Sequence, residues 1–310
     1  MLNLNRLALL QEFHRRGSLV AVAEALSLAP STVSQQLKVL EREVGALLVE
    51  RVGRGLRLTR EGEMLAERAA RILSEVERAE AEVAAVRAQP QGDVRVAALQ
   101  TASLAMLPQA LDILKQMTPH PRMLVRRIEP SRALGALEAR EFDIVLGEEY
   151  PRLPVSRHDD IEFVPLVWDP LEMVVPPSYD GPLSLRAAAE RLPWVMEPRG
   201  SDARAWALGM CRESGIEPEV QFESDDLLVQ VRLVETGHAI AVLPKLLLDS
   251  EEPKLQRVPL PGGPTRLVFA ACRAGTSIAP AIRAVLLALS RAISREEATS
   301  KFDGRPAAGV

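Results

Sequence analysis

Residues 18–59 read SLVAVAEALSLAPSTVSQQLKVLEREVGALLVERVGRGLRLT. Two helical patterns meet at a tight turn and run on into an arginine-rich hairpin. That is the layout of a winged helix-turn-helix, a module that sets one helix into the major groove of DNA. The second pattern divides by face. Val33, Leu37, Leu40 and Val44 recur at helical spacing and are expected in a small core. Ser31, Thr32, Ser34, Gln35 and Lys38 fall mostly on the other side. They suit base edges and phosphates: Gln pairs with adenine through both ends of its amide, and Ser and Thr serve several bases. Pro30 fits the first turn, where a missing N–H is no loss. Upstream, Ser18 is a candidate N-cap for a helix with Ala23 and Leu26 inward. Leu4, Leu7, Leu10 and Phe13 give an earlier helix its apolar stripe. After Gly45, residues 47–51 and 56–58 read as the strands of the wing and 52–55 as its turn. Arg51, Arg54 and Arg57 line it, suited to phosphates or a narrow minor groove. A solvated surface helix in some other all-α module is the competing reading. The order of helix, turn, helix, glycine and basic hairpin favours DNA.

Charge supports that reading only at one end. Residues 1–60 hold 9 basic and 5 acidic side chains, a net +4; residues 61–90 hold 4 and 7, a net −3; the whole chain is at −4. A slightly acidic protein with a basic head is no general polyanion binder. It fits recognition of DNA by one end of the molecule.

With these residues in hand, the chain resembles the LysR-type transcriptional regulators. The motifs that carry the resemblance are Gly17-Ser18, Ser34-Gln35, Leu40-Glu41, Gly45, Glu50-Arg51 and Leu58-Thr59-Arg60-Glu61-Gly62. Two positions depart from the family pattern: Val49 stands where Phe is usual, and Ala29-Pro30 replaces a common Ser-Gln. The resemblance runs from about residue 3 to about residue 295. It implies an α/β architecture: a winged helix-turn-helix (1–60), a linker helix (61–89) and a two-lobed effector domain of periplasmic-binding-protein type (93–295). Lobe I would take 93–163 and 268–295, and lobe II 164–267, with the chain crossing near Val164 and returning near Leu267.

The linker can also be read from its own pattern. No Gly or Pro interrupts the chain between Gly62 and Pro90. Leu65, Ala69, Ile72, Val76, Ala79, Val83 and Val86 alternate in steps of four and three, a heptad seam of the kind two helices share. A helix lying on its own domain would present a wider apolar face. Dimerisation is therefore expected here, and with it two recognition helices for two half-sites. Residues 89–92, Gln-Pro-Gln-Gly, read as a hinge.

From residue 93 strands and helices alternate, the rhythm of a parallel sheet between helices. Strands are expected at 94–99, 123–128 and 143–147, then at 171–175, 194–196, 220–223, 239–243 and 267–272. Helices are expected at 104–116, 131–139, 183–190, 201–215, 227–236 and 279–295. About 200 residues suit two lobes rather than one. Ligands in such sheets lie beyond the carboxyl ends of the strands, where helix N-termini open. Residues 100–103 and 198–202 stand at such places. By the resemblance, Thr101, Ser103 and Ser201, with Gln100 and Gly200 behind them, contact the effector; the same hydroxyls can equally cap helices. Glu148 and Glu149, just after a strand, favour a cationic effector, whereas Arg199 and Arg204 favour an acid. At this level the sign stays open.

No catalytic constellation, phosphate-binding glycine loop or nucleophile elbow stands out. His14, His120, His158 and His238 are scattered, so neither a metal site nor a cofactor is expected. Cys211 and Cys272 lie in apolar patterns and read as buried free thiols of a reducing cytoplasm. No stretch reaches the ~18 apolar residues of a membrane span, and a hydrophobic content of 47% supports a full core. Residues 296–310 lack periodicity and read as a disordered tail. The expected protein is a cytoplasmic, non-enzymatic regulator, a homodimer or homotetramer. Its partners are double-stranded DNA at an interrupted inverted repeat, a small-molecule effector and, by resemblance, RNA polymerase. The alternative is a cytosolic small-molecule-binding protein whose DNA-binding head has lost specificity.

Overall fold

The computed structural model describes residues 2–26, 28–53, 55–87 and 89–302, with side chains as far as residue 293. The chain divides into two compact units, residues 1–86 with 274–276, and the remainder.

The first unit contains α1 (Leu4–Arg16), α2 (Leu19–Ala25), α3 (Pro30–Val44), β1 (Val49–Val52), β2 (Gly55–Leu58) and α4 (Arg60–Arg87). Its core joins Leu7, Leu10 and Phe13 of α1 to Val22 and Ala23 of α2 and Val33, Leu37 and Leu40 of α3. Three residues expected inside, Leu4, Leu26 and Val44, are exposed instead. Each lies at the end of a helix, where the periodic face runs past the last packing neighbour. Val22 takes the inward place expected of Leu26, because α2 stops one residue short of it. Ser18 holds the N-cap position of α2 without a side-chain hydrogen bond, and Pro30 opens α3.

The wing depends on two polar side chains from the quoted motifs. The Glu41 carboxylate accepts from the backbone N–H of Leu48 at 3.0 Å and of Val49 at 3.1 Å, tying the end of α3 to the start of β1. The Thr59 hydroxyl donates to Leu47 O at 2.7 Å and accepts from Gly62 N at 3.0 Å, so it caps α4 against the wing. Gly62 is required by space: a Cβ there would stand 2.1 Å from Leu48 O. The motif Leu-Thr-x-x-Gly is thus a device for crossing a helix closely over a strand.

The first turns of α4 pack on the head, with Leu65, Ala66 and Ala69 in or against its core. Further along, Ile72 is 37% exposed, Val83 61% and Val86 87%. The expected seam therefore has two parts, one closed by the head and one left open to solvent.

In the second unit, lobe I contains β3 (Asp93–Ala98), α5 (Gln100–Ala105), α6 (Leu107–Lys115), β4 (Arg122–Arg127), α7 (Pro130–Glu138) and β5 (Ile144–Glu149). The long strand β6 (Ile161–Val175) follows. Lobe II holds α8 (Leu185–Ala189), β7 (Trp194–Met196), α9 (Asp202–Glu213), β8 (Val220–Glu223), α10 (Leu227–Glu235), β9 (Ala241–Pro244), α11 (Lys245–Glu251) and β10 (Gln256–Val258). The chain returns through β11 (Thr265–Arg273) and ends in α12 (Pro280–Phe302).

Lobe I is a sheet in the order β4-β3-β5-β11-β6, parallel through β4, β3 and β5 but antiparallel at β11 and β6. Alternation along the strands separates two cores. Val94 and Val96 of β3 and Val268, Ala270 and Cys272 of β11 face α6 and α12. Ala97, Phe269 and Ala271 face α7 on the other side. In lobe II, β6 pairs with β9 and β10, and β7 with β8.

β6 serves both lobes. Residues as far as Pro170 pair with β11, and Leu171 to Val174 pair with β9. The crossing therefore falls after Pro170 rather than near Val164, and the return falls at Thr265, just before the expected Leu267. No turn signal marks the crossing, because β6 runs straight through it, whereas the return follows directly on the turn Pro261-Gly262-Gly263-Pro264. Two elements, α11 and β10, go beyond the sequence pattern, and the helix expected at 104–116 is split at Met106, ahead of Pro108. α12 continues past Arg295 to Phe302, beyond the expected end of order; residues 303–310 lie outside the described residues.

Candidate DNA-binding surface and effector cleft

On α3, Ser31, Gln35 and Lys38 are exposed, and Thr32 and Ser34 are half-buried beside them. The same helix buries Val33, Leu37 and Leu40 on its other face. The exposed residues lie at spacings of four and three, one contiguous stripe. In the wing, Glu50 is paired with Arg57 and Arg51 with Leu56. Cross-strand partners share a face and neighbours alternate, so Arg51 and Arg57 point to opposite sides of the ribbon instead of lining one. Arg57 Nε donates to Glu50 at 2.7 Å, which partly neutralises it. Arg54 lies outside the described residues.

The second candidate site is a cleft of about 530 Å³ between the lobes. Its walls come from the start of α5, the β4–α7 turn, the end of β5, the β7–α9 turn, the residues before α10, and β11. Gln100, Thr101, Glu148, Gly200 and Ser201 all line it. Ser103 does not: its hydroxyl donates back to Leu99 O at 3.0 Å, one helical turn away. Ser201 accepts from Arg204 N and caps α9 while also lining the cleft.

Gln100 acts as a strap across the cleft. Its Nε2 donates to Asp226 Oδ1 at 2.8 Å and its Oε1 accepts from Leu227 N at 3.0 Å. Asp226 caps α10, so the strap links the first helix of lobe I to a helix N-terminus of lobe II. Thr101 is 1% exposed and its hydroxyl has no hydrogen-bond partner. Leaving such a group unsatisfied costs about 1–3 kcal/mol.

The floor is charged. Arg266 of β11 is buried and grips Asp169 of β6 through Nε at 3.0 Å and Nη2 at 2.8 Å. Its Nη1 binds Glu148 and lies 3.5 Å from the Tyr150 hydroxyl. Asp169 also accepts from Leu246 N at 2.9 Å, joining the network to α11. Burial raises the carboxyls of Glu148 and Asp169 in spite of this guanidinium. Glu197, from the β7–α9 turn, is pushed up to about 7, first by burial and then by the charge of Glu148; Asp225 adds to the shift, while Ser201 and Arg266 oppose it.

Two expected ligand groups are committed elsewhere. Arg204 is buried and donates to Glu197 O at 3.1 Å and Glu223 Oε1 at 2.6 Å. Glu149 accepts from Arg157 at 2.6 Å and does not reach the cleft. Sequence reasoning misses Arg266, Asp169 and Glu197. The signal that points to the first two is a charge inside an apolar strand pattern, LVWDPLEMVV for Asp169 and TRLVFAACR for Arg266, since a buried charge demands a partner.

Comparison with known proteins agrees with both halves. The family described as bacterial regulatory helix-turn-helix protein, lysR family, matches residues 4–63. The LysR substrate binding domain matches residues 87–294. The chain is 24% identical over 232 residues to the hydrogen peroxide-inducible genes activator of Dickeya chrysanthemi, covering 74% of each. It is 26% identical over 307 residues to the probable HTH-type transcriptional regulator LrrA of Synechococcus elongatus, covering 96% of this chain and 100% of that one. Among solved structures, a full-length OxyR variant from Pseudomonas aeruginosa has a similar fold, with a TM-score of 0.65 at 20% identity over 94% of this chain and 98% of the other.

Proposed function

The chain belongs to the LysR family of transcriptional regulators, and from that premise we propose how it reads DNA and senses its signal. It is a DNA-binding regulator modulated by a small-molecule effector. The exposed stripe Ser31, Gln35 and Lys38 of α3 enters the major groove and reads base edges, while Arg51 reaches the backbone from the wing. The observation that carries this reading is the division of α3: three polar side chains free on one face, three apolar ones locked on the other. The open part of the α4 seam, Ile72, Val83 and Val86, pairs with a second copy and supplies the second recognition helix for a second half-site.

The effector occupies the cleft between the lobes and changes how tightly the Gln100 strap holds them. For this to alter DNA binding, the effector must favour one arrangement of the oligomer over another. Thiol oxidation is a poor alternative for this chain, although a relative is named as peroxide-inducible. Cys211 and Cys272 are both fully buried, and burial pushes the Cys211 thiol up to about 12. A thiol held that high carries almost no reactive thiolate near neutral pH.

Neither histidine nor cysteine is among the described residues that line the cleft, and we assign it binding rather than catalysis. No helix among the described residues is long and apolar enough to cross a membrane, and the work of the protein lies with the chromosome in the cytoplasm. The test is a footprint at moderate salt on the DNA upstream of its own gene. Protection over an interrupted dyad is expected; binding that is salt-sensitive and indifferent to sequence would overturn the assignment of α3 as a specific reader.

A further inference from the structure

We infer that the effector of this cleft is a small organic cation whose ammonium or guanidinium group lodges between Glu148 and Glu197, beside the hydroxyl of Thr101. This rests on the reading of the cleft as the effector site and names the chemical class that site takes. At the floor a single guanidinium, Arg266, faces Asp169 and Glu148 and is engaged by both. Glu197 adds a third carboxylate from the opposite lobe, lining the same cavity. Among the described residues no basic side chain lies within ion-pair distance of it. The inner wall thus sets three carboxyl groups against one arginine, and Glu197 is the one with no ion-pair partner, in a setting where water screens poorly.

The arginines nearer the mouth do not restore the balance. Arg127 donates to the Asp225 backbone carbonyl at 2.9 Å and stands 3.9 Å from its carboxylate. Arg199 is exposed, where water screens it, and stands 4.0 Å from Glu223, a carboxylate that Arg204 already holds at 2.6 Å. The N-terminus of α9 is no free anion site either, because Ser201 caps it and Asp202 already stands in its first turn.

A second observation is independent of charge. Thr101 lines the same cavity and its buried hydroxyl has no partner; a small rotation would let it accept from an ammonium N–H as readily as donate. A cavity of about 530 Å³ is of the size that encloses a small metabolite. Among the described residues no group of three His, Cys, Asp or Glu is placed to hold a metal ion, which points to an organic cation. Burial first, and then the charge of Glu148, push the Glu197 carboxyl up to about 7, and a cation between the two carboxyls would offset that second cause.

The experiment is calorimetric titration of the full chain with agmatine and 1,4-diaminobutane, against succinate and benzoate at matched ionic strength. Saturable binding of an amine is expected, weakened about tenfold or more in Glu197→Gln. Glu148→Gln is a second variant, in which Arg266 keeps Asp169, and the same direction of change is expected. Amine binding that is equal in wild type and both variants overturns the inference, since the carboxylates then take no part. Absence of amine binding overturns it too. Anion binding alone, lost in Thr101→Val, overturns the cation but leaves the cleft as the effector site. Binding of either class that none of the three variants alters removes the effector reading itself.

Discussion

The DNA-reading surface and the effector cleft solve recognition in opposite ways. On α3 the functional side chains are exposed, local in sequence and independent of one another, carried by a helix whose other face is fixed in the core. In the cleft they are buried, drawn from distant segments and bound to each other. Arg266 meets Asp169 across 97 residues of chain and Glu148 across 118. The contrast teaches that a surface reader can lose a residue and keep its fold, whereas a buried charged site cannot lose one member without stranding the others.

The largest effect expected from that contrast is at Arg266. Arg266→Met leaves Asp169 and Glu148 buried and unpaired, which costs about 3–5 kcal/mol. The loss is read from urea denaturation of the second unit, and it should shrink at low pH, where both carboxyls are protonated. A cost no larger than that of a surface substitution would break the contrast. Next is Gln35→Ala. It should leave stability unchanged and reduce discrimination by about 1–3 kcal/mol at one base pair per half-site, measured by binding to a set of single-substitution operators. Equal loss on every sequence would make Gln35 a phosphate contact and the reader less like a reader.

The smallest effect sharpens the comparison through pH. Glu197 is held above its ordinary value, at about 7. The folded state thus binds its proton more tightly than the unfolded state, and its stability falls as pH rises from ordinary glutamate values through 7. Thermal midpoints measured from pH 5 to pH 8 should decline less in Glu197→Gln than in wild type. Parallel profiles would show that the carboxylate is not buried against like charge.

Legibility follows the same division. The pattern of α3 and the turn glycines Gly17 and Gly45, both left-handed in the structure, are set by near neighbours and stand plainly in the sequence. So do Thr101 and Ser201, because they follow strands and open helices. The same logic misplaces Ser103: position near a helix start does not say whether a hydroxyl faces the cavity or folds back on its own turn. The wing arginines look like one basic line in sequence, yet strand alternation and the pairing with Glu50 separate them. The sequence pattern sets the lobe crossing too early because β6 carries no break at Pro170.

What the sequence by itself determined is the class of protein: a helix-turn-helix head, a long helix after it, and a domain of alternating strands and helices. Those features arise from periodicity and turn chemistry within a few residues of one another. Only the tertiary structure decided the chemistry of the cleft. It set Glu197 beside Glu148, sent Arg204 and Glu149 to other partners, and committed the charge of Arg266 to two carboxylates. Electrostatic character in a buried site depends on which charges meet and how far water is excluded, and neither is written in the spacing of residues along the chain.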